Sequence, residues 1–196
     1  MTERDTDFSP AQSLKLIQSM IETTRHSIKD SSHFFLLWGW AVMLGCLLQF
    51  VLLVVIEYPH HYLAWLITPV ALVIHFIFLF RQGRQQKVRT FIGDATGYLW
   101  MSIGGCFVAL GFIFAQVGWQ HCFPFYILFY ALGTTVSGAL LQFRPMVIGG
   151  ICCFVLAALA AFMPYHLQIL LTAFAILISY IIPGYLLRTH FRKHNS

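Results

Sequence analysis

Six long apolar runs alternate with short polar segments along the chain. Each run is about 18 to 27 residues long, and about 20 helical residues cross a hydrocarbon layer of roughly 30 Å. Because lipid offers no water to backbone N–H and C=O groups, we expect helices, and the alternating segments of a barrel do not occur. The predicted spans are residues 34–56, 62–80, 91–117, 124–141, 146–163 and 167–187. The pattern therefore predicts an all-α membrane bundle of six transmembrane helices in three hairpins.

The composition agrees with this interpretation. Hydrophobic residues make up 59% of the 196 positions and charged residues only 10%. Soluble domains carry about a quarter charged residues, so this chain has too little polar surface to cover a water-soluble globule. The net charge of +5 comes without any nucleic-acid recognition motif, and we expect no nucleic-acid partner.

The basic residues predict the orientation. The first, third and fifth connections, residues 57–61, 118–123 and 164–166, contain no Lys or Arg. All of these residues fall in the remaining segments: Arg4, Lys15, Arg25, Lys29, Arg81, Arg84, Lys87, Arg89, Arg144, Arg188, Arg192 and Lys193. With six spans, every one of these segments lies on the same side, which the positive-inside rule assigns to the cytoplasm. Both termini are therefore predicted to be cytoplasmic.

The chain divides into a cytoplasmic arm (1–32), a membrane domain (33–188) and a basic tail (189–196). Within the arm, Ser9-Pro10-Ala11-Gln12 is a helix-start signal, and apolar residues then recur at three-and-four spacing. We predict an amphipathic helix over residues 10–29. It is expected to lie on the inner membrane surface or against the bundle, and pairing with a cytoplasmic protein stays open as the alternative.

Ionisable groups within spans are costly, which makes each one a functional candidate. Two qualify, His75 and Asp94, at similar predicted depth on neighbouring antiparallel helices. Ser137 and Tyr180 fall at comparable depth. These four residues are candidates for a polar ring on a ligand or ion pathway. In the simpler alternative, Asp94 caps the third span and His75 makes one interhelical hydrogen bond.

Histidines recur in all three outer connections, as His60, His61, His121 and His166. Imidazoles from converging loops are able to bind a metal or respond to pH. Their spacing matches no established metal motif, so they are only weak metal candidates, and no cofactor is expected.

Small residues form stripes at four-residue spacing, a pattern that lets helix backbones approach closely. We expect these stripes to pack inside the bundle, with a homo-oligomer interface as the alternative. They comprise Gly149, Cys153, Ala157 and Ala161 on the fifth span, and Gly93, Gly97, Gly105 and Ala109 on the third.

The chain contains no hydrolase, metalloprotease or phosphate-binding motif and no pair of intramembrane carboxylates, so we expect no enzymatic activity. Two function classes remain. One is a sensor, scaffold or regulatory membrane subunit that acts through the arm. The other is a small transporter or channel subunit that uses the polar ring.

The sequence resembles a family of small uncharacterised membrane proteins of Bacteroidetes-type bacteria. The resemblance rests on Leu36-Leu37-Trp38-Gly39-Trp40, Ser137-Gly138-Ala139-Leu140-Leu141 and Ile178-Ser179-Tyr180-Ile181-Ile182-Pro183-Gly184, among other segments. It implies six spans and a bacterial inner-membrane location. It implies no activity.

Overall fold

The structure, a computed structural model, describes residues 33–83 and 91–193. Both ranges are mostly helical and contain no strand, which confirms the predicted all-α class. The amphipathic helix predicted at 10–29 lies outside the described residues. The α-helices are α1 (33–50), α2 (Ile67–Gly83), α3 (Phe91–Val117), α4 (Cys122–Leu140), α5 (Arg144–Ala160), α6 (Tyr165–Ile176) and α7 (Ile182–Lys193).

Four short non-α helices extend or join these elements. A π-helix, Val51–Val55, continues α1, and a second one, Leu177–Ile181, joins α6 to α7 without a break. Turns of 3₁₀-helix, His61–Leu66 and Trp119–His121, lead into α2 and α4. Gly118 precedes the turn Trp119–His121. Its φ of 106° is a backbone conformation that residues other than glycine rarely adopt.

Within residues 33–83 and 91–193, five continuous helices are long and apolar enough to cross a membrane. They are His33–Val55, His61–Arg81, Ile92–Val117, Trp119–Leu140 and Tyr165–Thr189. The sixth, α5, has 17 residues, which at 1.5 Å per residue gives about 26 Å, slightly less than the roughly 30 Å of a bilayer core. It ends at Ala160, before the turn that leads to Pro164, whereas the predicted span continued to residue 163.

The tightest packing joins α4, α5 and the π-helix that follows α6. A Cβ placed on Gly150 would lie 2.8 Å from the backbone nitrogen of Thr135 in α4. On the neighbouring Gly149, it would lie 2.9 Å from the carbonyl oxygen of Ile178. Gly149, Cys153 and Ala157 of the predicted stripe therefore pack internally, as predicted, whereas its last member, Ala161, is exposed.

The stripe on α3 behaves differently. Gly93, Gly97, Gly105 and Ala109 are all exposed, and a Cβ on Gly97 or Gly105 would meet nothing within 4 Å. The prediction of internal packing is wrong for this stripe. Larger side chains of α3, such as Trp100 and Ile103, make its contacts with α4.

The bundle has two chemically different ends. We call the end that carries Arg81, Arg144 and Arg188 the arginine end, and the end that carries His60, His61, His121 and His166 the histidine end. At the arginine end, the beginning of α1 lies beside three other elements. It contacts the last part of α2, the first part of α3 and the end of the π-helix before α7. The last residues of α1 and the first residues of α4 and α6 lie together at the histidine end.

Candidate functional site

Five aromatic side chains fill the half of the bundle that is nearer the arginine end. We call Phe34, Phe35, Trp100, Tyr130 and Tyr180 the aromatic cluster. Tyr180 lies at its centre, with ring centroids 5.4 Å from Phe35, 5.8 Å from Trp100 and 5.4 Å from Tyr130. The three contacts are edge-to-face, the favourable geometry for aromatic rings. They join α1, α3 and α4 to the π-helix around a side chain that is 1% exposed.

Two local features of the backbone place Tyr180 there. Its residue belongs to the π-helix Leu177–Ile181, and π-turns re-aim side chains and occur often at functional sites. On the facing helix, Gly39 lets α1 approach, because a Cβ at that position would come within 3.0 Å of the Tyr180 Cβ.

Three of the four polar-ring candidates lie in or beside this cluster, but they do not bond to one another. Ser137 is fully buried and accepts a hydrogen bond of 3.1 Å from the indole N–H of Trp100. His75 packs against rings of α1, with centroids 5.0 Å from Phe34 and 6.2 Å from Trp38. Aromatic rings thus separate His75 from Ser137 and Tyr180.

The fourth candidate, Asp94, lies apart. Its side chain is exposed near the start of α3, within the first helical turn, where a carboxylate is favoured by the helix dipole. Within residues 33–83 and 91–193, no ion pair or hydrogen bond joins it to His75. The functional role of the four residues stays a prediction.

Thr134 is a buried polar residue that the sequence did not single out. Its hydroxyl and that of Tyr180 are close enough to interact, yet no hydrogen bond of good geometry reaches either. Thr134 lies one helical turn before Ser137, so helical spacing places it on the same face of α4. A buried hydroxyl without a partner costs free energy, which makes this pair the least satisfied part of the cluster.

A second polar centre lies at the histidine end and was also missed. Gln49 of α1 is 1% exposed. Its amide nitrogen donates to the Tyr165 hydroxyl at 3.1 Å and lies 3.2 Å from Nδ1 of His61. Its carbonyl oxygen accepts from the Trp65 indole N–H at 2.8 Å. We call Gln49, His61, Trp65 and Tyr165 the glutamine hub.

The donors in the hub determine its bonding pattern. An indole nitrogen can only donate, so the Gln49 atom that faces Trp65 must be the carbonyl oxygen. The amide nitrogen then faces His61 and must donate to it, which makes Nδ1 of His61 the acceptor. The hub therefore connects α1 to the 3₁₀ turn before α2 and to the start of α6, and both polar atoms of the Gln49 side chain are bonded.

The outer histidines do not gather into a metal site. Among the described residues, no group of three His, Cys, Asp or Glu side chains is arranged to hold a metal ion. His61 belongs to the glutamine hub, and His60 packs between the rings of Tyr58 and Tyr62 at 5.6 and 5.7 Å. His121 ends the 3₁₀ turn that leads into α4, and His166 lies in the first turn of α6.

Comparison with protein-family models, with curated proteins and with solved structures finds no match for this chain. The resemblance to a Bacteroidetes-type family therefore stays a prediction. The functional argument rests on the geometry of the chain itself.

Proposed function

We propose that the chain is a non-enzymatic subunit of a bacterial inner membrane that crosses the bilayer six times and acts as a sensor, scaffold or regulator through its cytoplasmic arm. The segregation of Arg81, Arg144 and Arg188 from the histidine end supports this topology, with the arginine end in the cytoplasm. Since α5 packs closely against both α4 and the π-helix, its modest length is compatible with a sixth span.

The observation that carries the proposed role is that the rings of the aromatic cluster pack against one another and fill the interior of the bundle around Tyr180. A transport path needs polar groups that are accessible at several depths. Here three of the buried hydroxyls are bonded internally: Ser137 accepts from Trp100, Thr172 donates to the backbone carbonyl of Gln168, and Ser179 donates to that of Ala175. The buried hydroxyls of Thr134 and Tyr180 are the exceptions. A bundle of this kind favours the presentation of a cytoplasmic element over the passage of a solute.

A pull-down of cytoplasmic partners tests the role of the arm. We expect the full chain to retain partners that are lost on deletion of residues 1–30 and on I21D, which places a carboxylate on the predicted apolar face. The matched control is S19D, on the opposite face of the same predicted helix, and it should retain the partners. Identical partner sets for all four chains would remove the arm from the function.

A reporter fused after Ser196 and another inserted beside His60 test the topology independently. We expect the first to be active only in the cytoplasm and the second only outside it. The opposite result would invert the bundle, and two reporters on the same side would exclude an even number of spans.

A small transporter or channel subunit is the second candidate, favoured by the unsatisfied hydroxyls of Thr134 and Tyr180. Proton flux into dye-loaded liposomes distinguishes it from a scaffold. A flux that requires the full chain and falls with Y180F would support transport. No flux above that of empty liposomes would favour the scaffold.

A further inference from the structure

A lateral groove opens between α1, α2 and α7 and extends from the arginine end to mid-depth. Its volume is about 510 Å³. Its floor is formed by Ala41 and Ala71, which are 8% and 3% exposed. Its walls are larger apolar side chains, among them Trp40, Val70 and Ile74, each of which is 41% to 58% exposed.

α1 and α2 contact each other on either side of the groove. Toward the histidine end, a Cβ on Gly45 would lie 3.4 Å from the Ile67 side chain, so the two helices are close there. On the opposite flank, the ring of His75 packs against Phe34. Between these contacts, the single methyl groups of Ala41 and Ala71 leave the space unfilled.

The mouth of the groove has a different character. It is lined by His33, Tyr185 and Arg188, all exposed and all at the arginine end. Arg188 forms no ion pair with any residue in the described ranges. A long arginine side chain near a helix end extends its guanidinium to the level of the lipid headgroups.

The dimensions of the groove correspond to one leaflet. Along α1, the lining extends from His33 to Ala41, eight residues and so about 12 Å. Half of a bilayer core is about 15 Å. A cavity that is apolar over this depth and cationic at its mouth is complementary to a molecule with a hydrocarbon chain and an anionic head.

We propose that this groove binds one anionic phospholipid from the leaflet at the arginine end. One acyl chain lies over Ala41 and Ala71, and the phosphate pairs with the Arg188 guanidinium, whose planar fork suits phosphate oxygens. The Tyr185 hydroxyl, beside it at the mouth, is able to donate to the headgroup. This proposal rests on the proposed membrane placement but not on the proposed scaffold role. A negative lipid-retention experiment would therefore leave the scaffold role standing, and a negative pull-down would leave the lipid site standing.

Native mass spectrometry of the full chain in neutral detergent tests the headgroup. We expect one retained phosphatidylglycerol, with phosphatidylcholine of the same acyl chains retained less. R188Q should lower phosphatidylglycerol retention about fivefold, the effect of one basic residue near an anionic membrane surface, and R188K should largely restore it. The matched control is R144Q, at an exposed arginine of the same end that lies outside the groove. Equal retention of both lipids, or equal loss in R188Q and R144Q, would overturn the proposal.

The groove itself is tested by filling its floor. A71F should lower the retention of phosphatidylglycerol and phosphatidylcholine alike, with the thermal stability of the purified variant confirming that it folds. Unchanged retention in a folded A71F chain would contradict the assignment. Lipid that binds only after deletion of residues 1–30 would show that the arm occupies the groove in the full chain, which would also overturn the proposal.

Discussion

The segment from α4 to α7 and the pair α2–α3 are both apolar but packed in different ways. In the apolar stretch of the span Trp119–Leu140, 44% of the residues are buried, and in that of Tyr165–Thr189 the buried share is 56%. For His61–Arg81 and for Ile92–Val117 it is 11%. Yet the poorly buried His61–Arg81 is the most hydrophobic of these four spans. Hydrophobicity places a helix in lipid, whereas close backbone approach decides which helices form the core.

The glycines show the same contrast at the level of single atoms. In α5, added methyl groups at Gly149 and Gly150 would collide with backbone atoms of the neighbouring helices. In α3, Gly97, Gly104 and Gly105 face open space. Two stripes of small residues therefore have opposite positions in the fold.

The strongest test of the comparison removes a large ring from each region. Y180A should lower the free energy of unfolding by about 3–5 kcal/mol, because it empties the centre of the aromatic cluster. Tyr98 of α3 is 67% exposed, so Y98A should change the free energy of unfolding by no more than about 0.5 kcal/mol. Denaturant unfolding in mixed micelles measures both. Equal effects would mean that the two regions are equally packed.

A smaller effect is expected from one methyl group. G150A should destabilise the chain by about 1–3 kcal/mol, since the methyl group must displace the α4 backbone near Thr135. The same unfolding measurement applies, with G97A as the matched glycine of α3. A stable G150A variant would show that α4 and α5 move apart without cost.

The glutamine hub tests whether polar contacts hold α2 to the core. Q49L should cost about 1–2 kcal/mol, because it leaves the Trp65 indole and the Tyr165 hydroxyl without their partner. Denaturant unfolding in mixed micelles measures the change. Q116L is the control, at an exposed glutamine of α3. Equal stability of the two variants would mean that the hub contributes nothing.

The smallest effect is expected on the open face of α3. G104A should leave the free energy of unfolding within about 1 kcal/mol of the parent and on the stabilising side, since alanine favours a helix and no atom opposes the new methyl group. Thermal unfolding in detergent and in liposomes would detect a difference. A loss as large as that of G150A, seen only in liposomes, would mean that a second copy covers this face in the membrane.

The sequence predicted the class of the fold well and the packing poorly. The length of the apolar runs identified the helices, because a helix needs about 20 apolar residues to cross the hydrocarbon layer, whichever helices pack beside it. It did not distinguish the stripes of α5 and α3, since a helix that is apolar all round carries no periodic signal of its buried face. Tyr180 and Ser137 were found from depth alone, whereas Gln49 and Trp100 depended on partners far along the chain.

The π-helix Leu177–Ile181 has a further consequence for the face that α7 presents. A π-turn holds one more residue than the α-helical turn it replaces, and each residue of an α-helix advances the rotation by about 100°. Deleting a single residue here would let the chain continue as regular α-helix while turning everything beyond it by about a quarter of a revolution. Tyr185 and Arg188 would then leave the rim of the groove. The one extra residue of the π-turn therefore determines how far α7 is rotated about the helix axis relative to α6, and so which of its side chains face the lipid.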